Sequence, residues 1–391
     1  RACVDMRYFT SYNGVEAIYG MKAWMAGYAN PYPFNIFGAN YGAQNYEASG
    51  AYSGMLEKMS LDTAVKYSYL DTRRDYSGLV YIENRLSVKA SAERDFDFEN
   101  GRKVKALFSV DTWFSDISAM GKRYWPAFNI EAVLKGIFYL EPFVFQGGFR
   151  IQDYNLHKNF YRMSPYLSAD WDALPYLGLY AEFKPKMGVV DTFEYQKTPF
   201  VALNEHEMEA ENASARAGAR INVFETFVDA YYGYRSVRNN MYPDTVTHTA
   251  SDMSRVFVIK NNDIDTAYAG ISVETVNVKD IKVRARYEYL NIIKQSRPAN
   301  YLPLNTASID AVYSPAEWEF GVSASLKSAY LGAAGQKAPA SAVLDLFCSR
   351  KINDNLTVAA HANNILNNTH YLLYYYEEKG FSAGVSAVLK F

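Results

Sequence analysis

The sequence predicts an all-β fold, namely a transmembrane antiparallel up-and-down β-barrel of about 18 strands, within a range of roughly 16 to 20. Three observations predict it. Apolar and polar side chains alternate along many segments, short turns alternate with longer polar connections, and tyrosine and phenylalanine are abundant. We expect one barrel domain over residues 1–391, with short periplasmic turns and long extracellular loops.

The alternation is clearest in Ile281–Tyr289. Apolar and tyrosine side chains occupy the odd positions, whereas Lys282, Arg284, Arg286 and Glu288 occupy the even ones. Successive side chains of a strand point to opposite faces, so four charges on one face indicate a wet interior. Similar runs recur in residues 85–93, 103–111, 212–222 and 317–327. They reach roughly nine to eleven residues, which is the length of a bilayer-spanning strand, whereas ordinary strands have about five or six.

The connections between these runs are of two kinds. Short turns are predicted at Glu99–Gly101, Tyr139–Pro142, Asp172–Pro175, Phe224–Thr226, Val278–Asp280, Ser314–Ala316 and Asn353–Asn355. Longer loops are predicted at Ser115–Pro126, Asn155–Pro165, Met187–Glu207, Arg238–Ser254, Lys294–Leu304 and Tyr330–Pro339. This asymmetry is typical of outer-membrane barrels. Residues 1–14 leave two alternatives open: Cys3–Tyr12 is an extra strand, or it belongs to an upstream segment.

The composition supports a membrane barrel and argues against other classes. The chain contains 34 Tyr and 23 Phe, and tyrosine suits a membrane interface because its ring is apolar and its hydroxyl stays wet. We assign two tyrosine clusters, Tyr67 with Tyr69, and Tyr231 with Tyr232 and Tyr234, to interfacial girdles, and platforms on which sugars stack are the alternative. The net charge of −2 argues against a nucleic-acid partner. A spanning helix needs about 20 apolar residues, and none is found.

The charged inner faces are the best candidates for function. Twelve side chains are predicted to face the lumen: Lys103, Lys105, Asp111, Glu131, Lys135, Arg216, Arg220, Lys282, Arg284, Arg286, Glu317 and Glu319. They either tune selectivity and hold a partner, or keep the lumen wet and pair with each other. The three cations of residues 282–286 favour anionic solutes.

The chain ends in an alternating strand whose last residue is aromatic. Phe381, Val385, Leu389 and Phe391 lie on one apolar face. This resembles the C-terminal signal by which the assembly machinery recognises bacterial outer-membrane barrels, so we expect that machinery as a partner. Lipid and lipopolysaccharide are the other expected partners.

The preceding segment carries a more specific resemblance. Ile352–Leu356 reads INDNL, Asn363–Asn368 reads NNILNN, and a Tyr-rich loop follows. These motifs resemble the closing hairpin of TonB-dependent receptors, over about the last fifty residues. The resemblance implies a nutrient transporter with an N-terminal plug, a 22-stranded barrel and a short box that binds the energising protein. We identify neither plug nor box here, so a plugless relative and a partner that fills the lumen both stay open.

No enzymatic constellation is present, and we expect no enzyme activity, no metal and no cofactor. The five histidines, which form no metal-binding spacing, are His157, His206, His248, His361 and His370. No GxSxG motif or phosphate-binding loop occurs. Cys3 and Cys348 either form a disulfide or remain isolated thiols.

The sequence therefore predicts a protein of the bacterial outer membrane. Uptake of a nutrient is the first functional expectation. A structural barrel of a multiprotein envelope complex, with its lumen filled by a plug or envelope partner, is the alternative. A passive general porin is the third, because an unfilled barrel of this size leaves an aqueous channel.

Overall fold

The computed structural model describes the chain in sixteen stretches. They are residues 2–12, 15–28, 41–56, 58–74, 80–98, 102–119, 122–156, 158–188, 209–247, 255–275, 280–297, 302–331, 337–368, 371–373, 376–377 and 380–389. Within them, no helix has the length and apolar character needed to cross a bilayer.

Strands make up almost all of the described chain. Their bounds are β1 Ala2–Tyr12, β2 Val15–Tyr28, β3 Tyr41–Leu56, β4 Met59–Arg74, β5 Val80–Asp97, β6 Lys103–Ala119, β7 Lys122–Leu140, β8 Phe143–Asn155, β9 Asn159–Leu174, β10 Leu177–Phe183, β11 Met187–Gly188, β12 Glu209–Val223, β13 Thr226–Thr247, β14 Arg255–Thr275, β15 Ile281–Gln295, β16 Asn305–Tyr313, β17 Trp318–Lys327, β18 Tyr330–Leu331, β19 Lys337–Ala338, β20 Ser341–Lys351, β21 Leu356–Asn363, β22 Tyr371–Leu373, β23 Tyr376–Glu377 and β24 Ser382–Leu389.

One large antiparallel sheet contains 20 of these segments, and β18–β19 and β22–β23 form two small hairpins. Strands that follow each other along the chain pair with each other, as in an up-and-down barrel. β10 and β11 both pair with β12, so they are two parts of one interrupted strand. Residues 2–12 form a strand, β1, which pairs with β2. Among the described residues, no pairing closes the sheet.

Short turns join the strands at one end of the sheet, which we call the turn end. The turns predicted around residues 139–142, 172–175, 224–226, 314–316 and 353–355 are all present. Phe224 and Glu225 join β12 to β13, and both have a positive φ, of 49° and 61° respectively. Two successive positive φ values are typical of the type I′ hairpin turn. Residues 99–101 and 276–279 lie outside the described part.

The Asn353–Asn355 turn is held by side chains. Asn353 Oδ1 accepts hydrogen bonds from the backbone N–H groups of Asn355 at 2.9 Å and Leu356 at 2.8 Å. Lys351 Nζ lies 2.7 Å from Asp354 Oδ1 and holds the pKa of that carboxyl below its usual range. The INDNL segment therefore folds as a self-contained turn.

At the opposite end, which we call the loop end, several predicted loops are wrong. β6 and β7 continue through most of Ser115–Pro126, β9 begins inside Asn155–Pro165, and β13 extends through most of Arg238–Ser254. The strands reach 22 residues, beyond the roughly 9 to 11 that a bilayer requires. A strand that emerges into water is polar on both faces, so its alternation disappears and it resembles a loop. The loop at Lys294–Leu304 is confirmed, since β15 ends at Gln295.

The two faces of the sheet differ in character. Lys89 pairs with Asp111, and Asp111 pairs with Glu131 across β5, β6 and β7. Paired residues lie on the same side of a sheet, and the side alternates with each residue. We call the side of Asp111 the polar face. On the opposite, apolar face, Phe108 and Leu134 are exposed, the latter to 60%. Such an array of exposed apolar side chains suits lipid and is unfavourable in water.

Two compact units are distinguished within the chain. Unit 1 comprises residues 1–169, 183–212 and 238–261, and unit 2 comprises residues 170–182, 213–237 and 262–391. Unit 1 has an unexpected apolar cluster on its polar face, near the loop end. Its buried members are Leu70, Tyr81, Trp113, Ile117, Ala119, Ala127, Tyr154, Leu156 and Met187. Unit 2 has a smaller cluster in which Val237 and Ile264 are buried against Ile292 and Leu302.

Candidate functional site

The polar face of unit 1 carries charges that are arranged in pairs. Lys105 forms an ion pair with Glu93, and Lys89 Nζ lies 2.7 Å from Asp111 Oδ2. Glu131 Oε1 lies 3.1 Å from Arg150 Nε on the next strand. Lys105, Asp111 and Glu131 therefore lie on the polar face, and each forms an ion pair with a residue of opposite charge on a neighbouring strand.

Lys103 and Lys135 lie on the same face. Lys103 pairs in register with Tyr139, and Lys135 with Leu107, an apolar residue on the polar face. Lys135 Nζ lies 5.4 Å from the ring centroid of Tyr166, and Lys184 Nζ lies 4.8 Å from the same centroid. Both distances are typical of cation–π contacts.

Towards the loop end, the polar face is packed around a buried carboxylate. Glu83 is fully buried, and its Oε1 accepts hydrogen bonds from Arg85 Nε at 2.7 Å and Ser115 Oγ at 2.6 Å. Tyr81 donates to its other oxygen, and the Arg85 guanidinium lies 4.4 Å from the Trp113 ring centroid. A buried charge with this many partners is satisfied and fixes its surroundings. Sequence reasoning missed Glu83, although it lies on the polar face of a strand assigned from residue 85 onward.

A short segment, Lys184–Gly188, lies against the polar face, and we call it the strap. Met187 N donates to Gln152 Oε1 at 2.6 Å, and Gln152 Nε2 donates to Met187 O at 3.1 Å. The same Nε2 donates to Glu131 Oε2 at 3.1 Å. The side-chain amide of Gln152 thus bonds the Met187 peptide as a neighbouring strand would. Met187 itself is buried in the apolar cluster of unit 1.

The polar face of unit 2 carries a network of arginine, tyrosine and carboxylate groups. Arg216 Nη2 donates to Asp229 Oδ2 at 2.6 Å, and Tyr180 Oη donates to Asp229 Oδ1 at 2.9 Å. The Arg216 guanidinium lies 3.9 Å from the Tyr231 ring centroid. Arg220 lies 4.1 Å from the Tyr180 centroid, and its Nη1 donates to Asp170 Oδ1 at 2.7 Å.

The network continues into β15. Glu288 Oε2 accepts hydrogen bonds from Tyr231 Oη at 2.7 Å and from Arg286 Nη2 at 2.8 Å. Arg284 Nη2 donates to Glu274 Oε1 at 2.7 Å. Only Lys282, of the three cations proposed to attract anions, forms no ion pair among the described residues. Two of these three charges are neutralised locally, which weakens the basis for that expectation.

Tyr231 shows that an assignment to the interfacial girdle was wrong. It is buried on the polar face, whereas Tyr232, the next residue, is exposed on the other side. The Tyr231 ring lies across Gly270 of the neighbouring strand, and a Cβ at Gly270 would lie 2.4 Å from the ring. The Tyr268 ring covers Gly233 in the same way, with 2.2 Å to a Cβ. Glycine at these positions lets the rings lie flat against the wall.

Glu317 and Glu319 are placed differently. Glu319 lies in β17 and pairs in register with Ser349, on the polar face. Glu317 lies in the turn before β17, and its Oε2 is 4.0 Å from Arg350 Nη2. The prediction of an inward-facing strand position for Glu317 extended the strand too far, because polar turn residues continue the same alternation.

Apolar side chains are exposed in the C-terminal strand β24 and at the residue before it. Phe381 and Val385 are exposed, and Val385, at 76%, is among the most exposed apolar side chains described. Leu389 ends β24, and Phe391 lies outside the described residues. Recognition by the assembly machinery stays a prediction.

Cys348 is a free thiol. The side chain of Cys3 lies outside the described part of the chain. No group of three potential metal ligands occurs among the described residues. Of the histidines, only His361 falls within this part of the chain, and the others lie outside it.

No family model matches the chain, and no curated protein matches it. Solved structures do match. All of the chain aligns with the ferric enterobactin receptor PfeA of Pseudomonas aeruginosa, covering 78% of that chain at 9% identity and a TM-score of 0.60. All of the chain also aligns with the siderophore receptor PirA of Acinetobacter baumannii, covering 70% of that receptor at 9% identity and a TM-score of 0.63.

The outer-membrane transporter YddB of Escherichia coli is similar over 98% of this chain and 68% of its own, at 13% identity and a TM-score of 0.63. The chain has the β-barrel fold of TonB-dependent outer-membrane receptors. The predicted fold class and the resemblance to this group of barrels are thereby confirmed at the level of the fold. The fold is one of the bacterial outer membrane, as predicted, and these similar proteins are receptors and transporters rather than enzymes.

Proposed function

We propose that the chain is an outer-membrane transporter whose polar face lines the path of a nutrient. The observation that carries this proposal is the polar face with paired charges that extends across β3 to β8, backed by an exposed apolar face on the same strands. A wall with lipid-compatible and water-compatible sides suits passage of a polar solute through a membrane. The fold is shared with receptors for a ferric siderophore and with the copper transporter OprC.

The pairing of charges supports a bulky nutrient rather than a simple ion. The opposite charges cancel within each of three ion pairs of the wall: Lys89 with Asp111, Arg216 with Asp229, and Arg284 with Glu274. Ion-selective pores expose rings of charge of one sign, which attract the opposite ion. A self-neutralised wall holds no small ion strongly. We therefore favour a metal chelate, such as those named for the similar receptors, as the cargo class.

A structural barrel filled by a partner is the second candidate. One observation favours it: the Lys89 and Asp111 side chains of the polar face are 68% and 51% exposed. Exposed charges of both signs suit contact with a polar protein surface, such as a plug or an envelope partner. The lipid, lipopolysaccharide and assembly-machinery partners belong to the same proposal, because any barrel of this kind requires them.

The test combines uptake with conductance. The full chain is produced in the outer membrane of a host that lacks its own chelate receptors, and accumulation of labelled ferric and copper chelates is measured with and without an uncoupler. We expect accumulation of one chelate, abolished by the uncoupler, and no steady conductance in a planar bilayer. Steady ohmic conductance with uncoupler-insensitive equilibration would establish the porin instead. A stoichiometric partner with neither uptake nor conductance would establish the structural barrel.

A further inference from the structure

We infer that the strap Lys184–Gly188 narrows the transport path on the polar face of unit 1, and that Gln152 is the latch that holds it there. This inference rests on the proposed function, because it assigns the polar face to the path. It concerns how the strap regulates passage along the path and limits the size of the solutes that pass.

The latch is a single side chain that binds both backbone polar groups of one residue, Met187. Gln152 Oε1 accepts from Met187 N at 2.6 Å, and Gln152 Nε2 donates to Met187 O at 3.1 Å. Gln152 is 2% exposed and Met187 is 5% exposed, so the contact excludes water. Glu131 accepts a further bond from the same amide and fixes its orientation.

The far side of the strap is anchored to β12. Met187 and Gly188 pair in register with Ala210 and Glu209, and Lys186 N donates to Glu211 Oε2 at 3.1 Å. Glu211 is 3% exposed, and its backbone oxygen accepts a bond from Arg162 of β9. The anchor therefore consists of backbone pairing and a buried carboxylate, whereas the latch consists of one neutral amide.

This difference makes the latch the weaker attachment. A neutral hydrogen bond contributes little net stability because water replaces it when it opens, whereas backbone pairing must break together. Met187 has an unbranched, adaptable side chain, which can leave and re-enter an apolar cluster without rearranging the wall. The strap can thus lift from Gln152 while it stays joined to β12.

Lifting the strap would withdraw Met187 from the apolar cluster that it shares with wall residues, and the inference expects that cluster then to open to water. Ala127 is fully buried, and Tyr154 and Trp113 lie in the same cluster as Met187. Accessibility of a cysteine at position 127 therefore reports the state of the strap without requiring transport. This readout separates the inference from the proposed function.

The experiment uses the full chain with Cys3→Ser and Cys348→Ser, and adds Ala127→Cys. Labelling of this cysteine by a membrane-impermeant maleimide is compared between the parent, which keeps Gln152, and the variants Gln152→Leu and Gln152→Glu. Asp95→Cys, at an exposed position of the same face at the turn end, is the matched control. Heat-modifiable migration on gels verifies that each variant is folded.

We expect Ala127→Cys to be protected, and Gln152→Leu to raise its labelling rate about tenfold, the effect of losing one or two net hydrogen bonds. Gln152→Glu keeps an acceptor for Met187 N but sets a carboxylate oxygen against Glu131 and Met187 O, which repel it, so a rate at least as high as that of Gln152→Leu is expected, with the Asp95→Cys rate unchanged throughout. Single-channel recordings of Gln152→Leu should show openings that the parent lacks. Equal labelling of Ala127→Cys in folded parent and both variants would overturn the inference. If the Gln152 variants label faster but no variant takes up a chelate, the inference about the strap is supported and the proposed transport function is contradicted.

Discussion

The backbone N–H of Asn364 donates a 2.7 Å hydrogen bond to Oδ1 of Asp345, and this bond ties the connection after β21 to the middle of β20. Asn364 is buried, has a φ of 48°, and uses its side-chain amide to bind both backbone groups of Asn368. Asn368 in turn donates to Ala342 O at 2.9 Å. The NNILNN motif is therefore a structural clasp of the last hairpin.

Loss of this clasp should destabilise the barrel. Asn364→Ala removes both side-chain hydrogen bonds and puts alanine at a positive φ that asparagine adopts more readily. We therefore expect the free energy of unfolding to fall by about 2 kcal/mol. Asn363→Ala is the control, because within the described part of the chain its side chain forms one hydrogen bond, an exposed one of 3.5 Å to Ser382. Urea unfolding in lipid vesicles measures both. Equal stabilities of the two variants would show that the motif does not act as a clasp.

The faces of the sheet could be predicted from sequence, whereas the partners across it could not. Alternation is a property of one strand, so residues 281–289 reveal their two faces without their neighbours. The bond between Arg220 and Asp170 joins positions 50 residues apart, and that between Gln152 and Met187 joins positions 35 apart. Such contacts depend on register and on where the chain bends inward, which no local pattern encodes. Loop lengths failed for a related reason, since strands outside the membrane lose their apolar side.

The ion pair of Arg216 and Asp229 should contribute to stability, because both side chains are largely buried. We expect Asp229→Ala to cost about 3 kcal/mol, since it leaves the guanidinium without its carboxylate. A double-mutant cycle with Arg216→Ala should give a coupling energy of about 1 to 3 kcal/mol. The exposed pair of Lys89 and Asp111 is the matched control, with an expected coupling of about 0 to 1 kcal/mol. Equal coupling in the two cycles would contradict this difference in burial.

Gly270 should resist even the smallest side chain. Its Cβ would lie 2.4 Å from the Tyr231 ring, so Gly270→Ala must displace that ring and should cost about 1 to 3 kcal/mol. Tyr231→Ala combined with Gly270→Ala should cost less than the sum of the two, because the clash is gone. At Gly147 the nearest atom is Leu167 Cδ2 at 3.9 Å, so Gly147→Ala serves as the tolerated control. Additive costs at position 270 would mean that the ring does not occupy this space.

The assignment of the apolar face to lipid can be tested within two neighbouring strands. Leu134 on β7 is on the apolar face, and Leu107 on β6 is on the polar face, where it pairs in register with Lys135. A cation on the lipid side of a barrel costs about 2 to 4 kcal/mol near the bilayer midplane, because it must leave water without a counter-charge. We therefore expect Leu134→Lys to lower the unfolding free energy by that amount. Leu107→Lys should be tolerated to within about 1 kcal/mol, because Glu93 lies directly opposite this position and an exposed ion pair contributes little. Folding into vesicles and urea titration give both values, and a larger penalty at position 107 than at position 134 would exchange the two faces and place the charged side chains of the polar face outside the path.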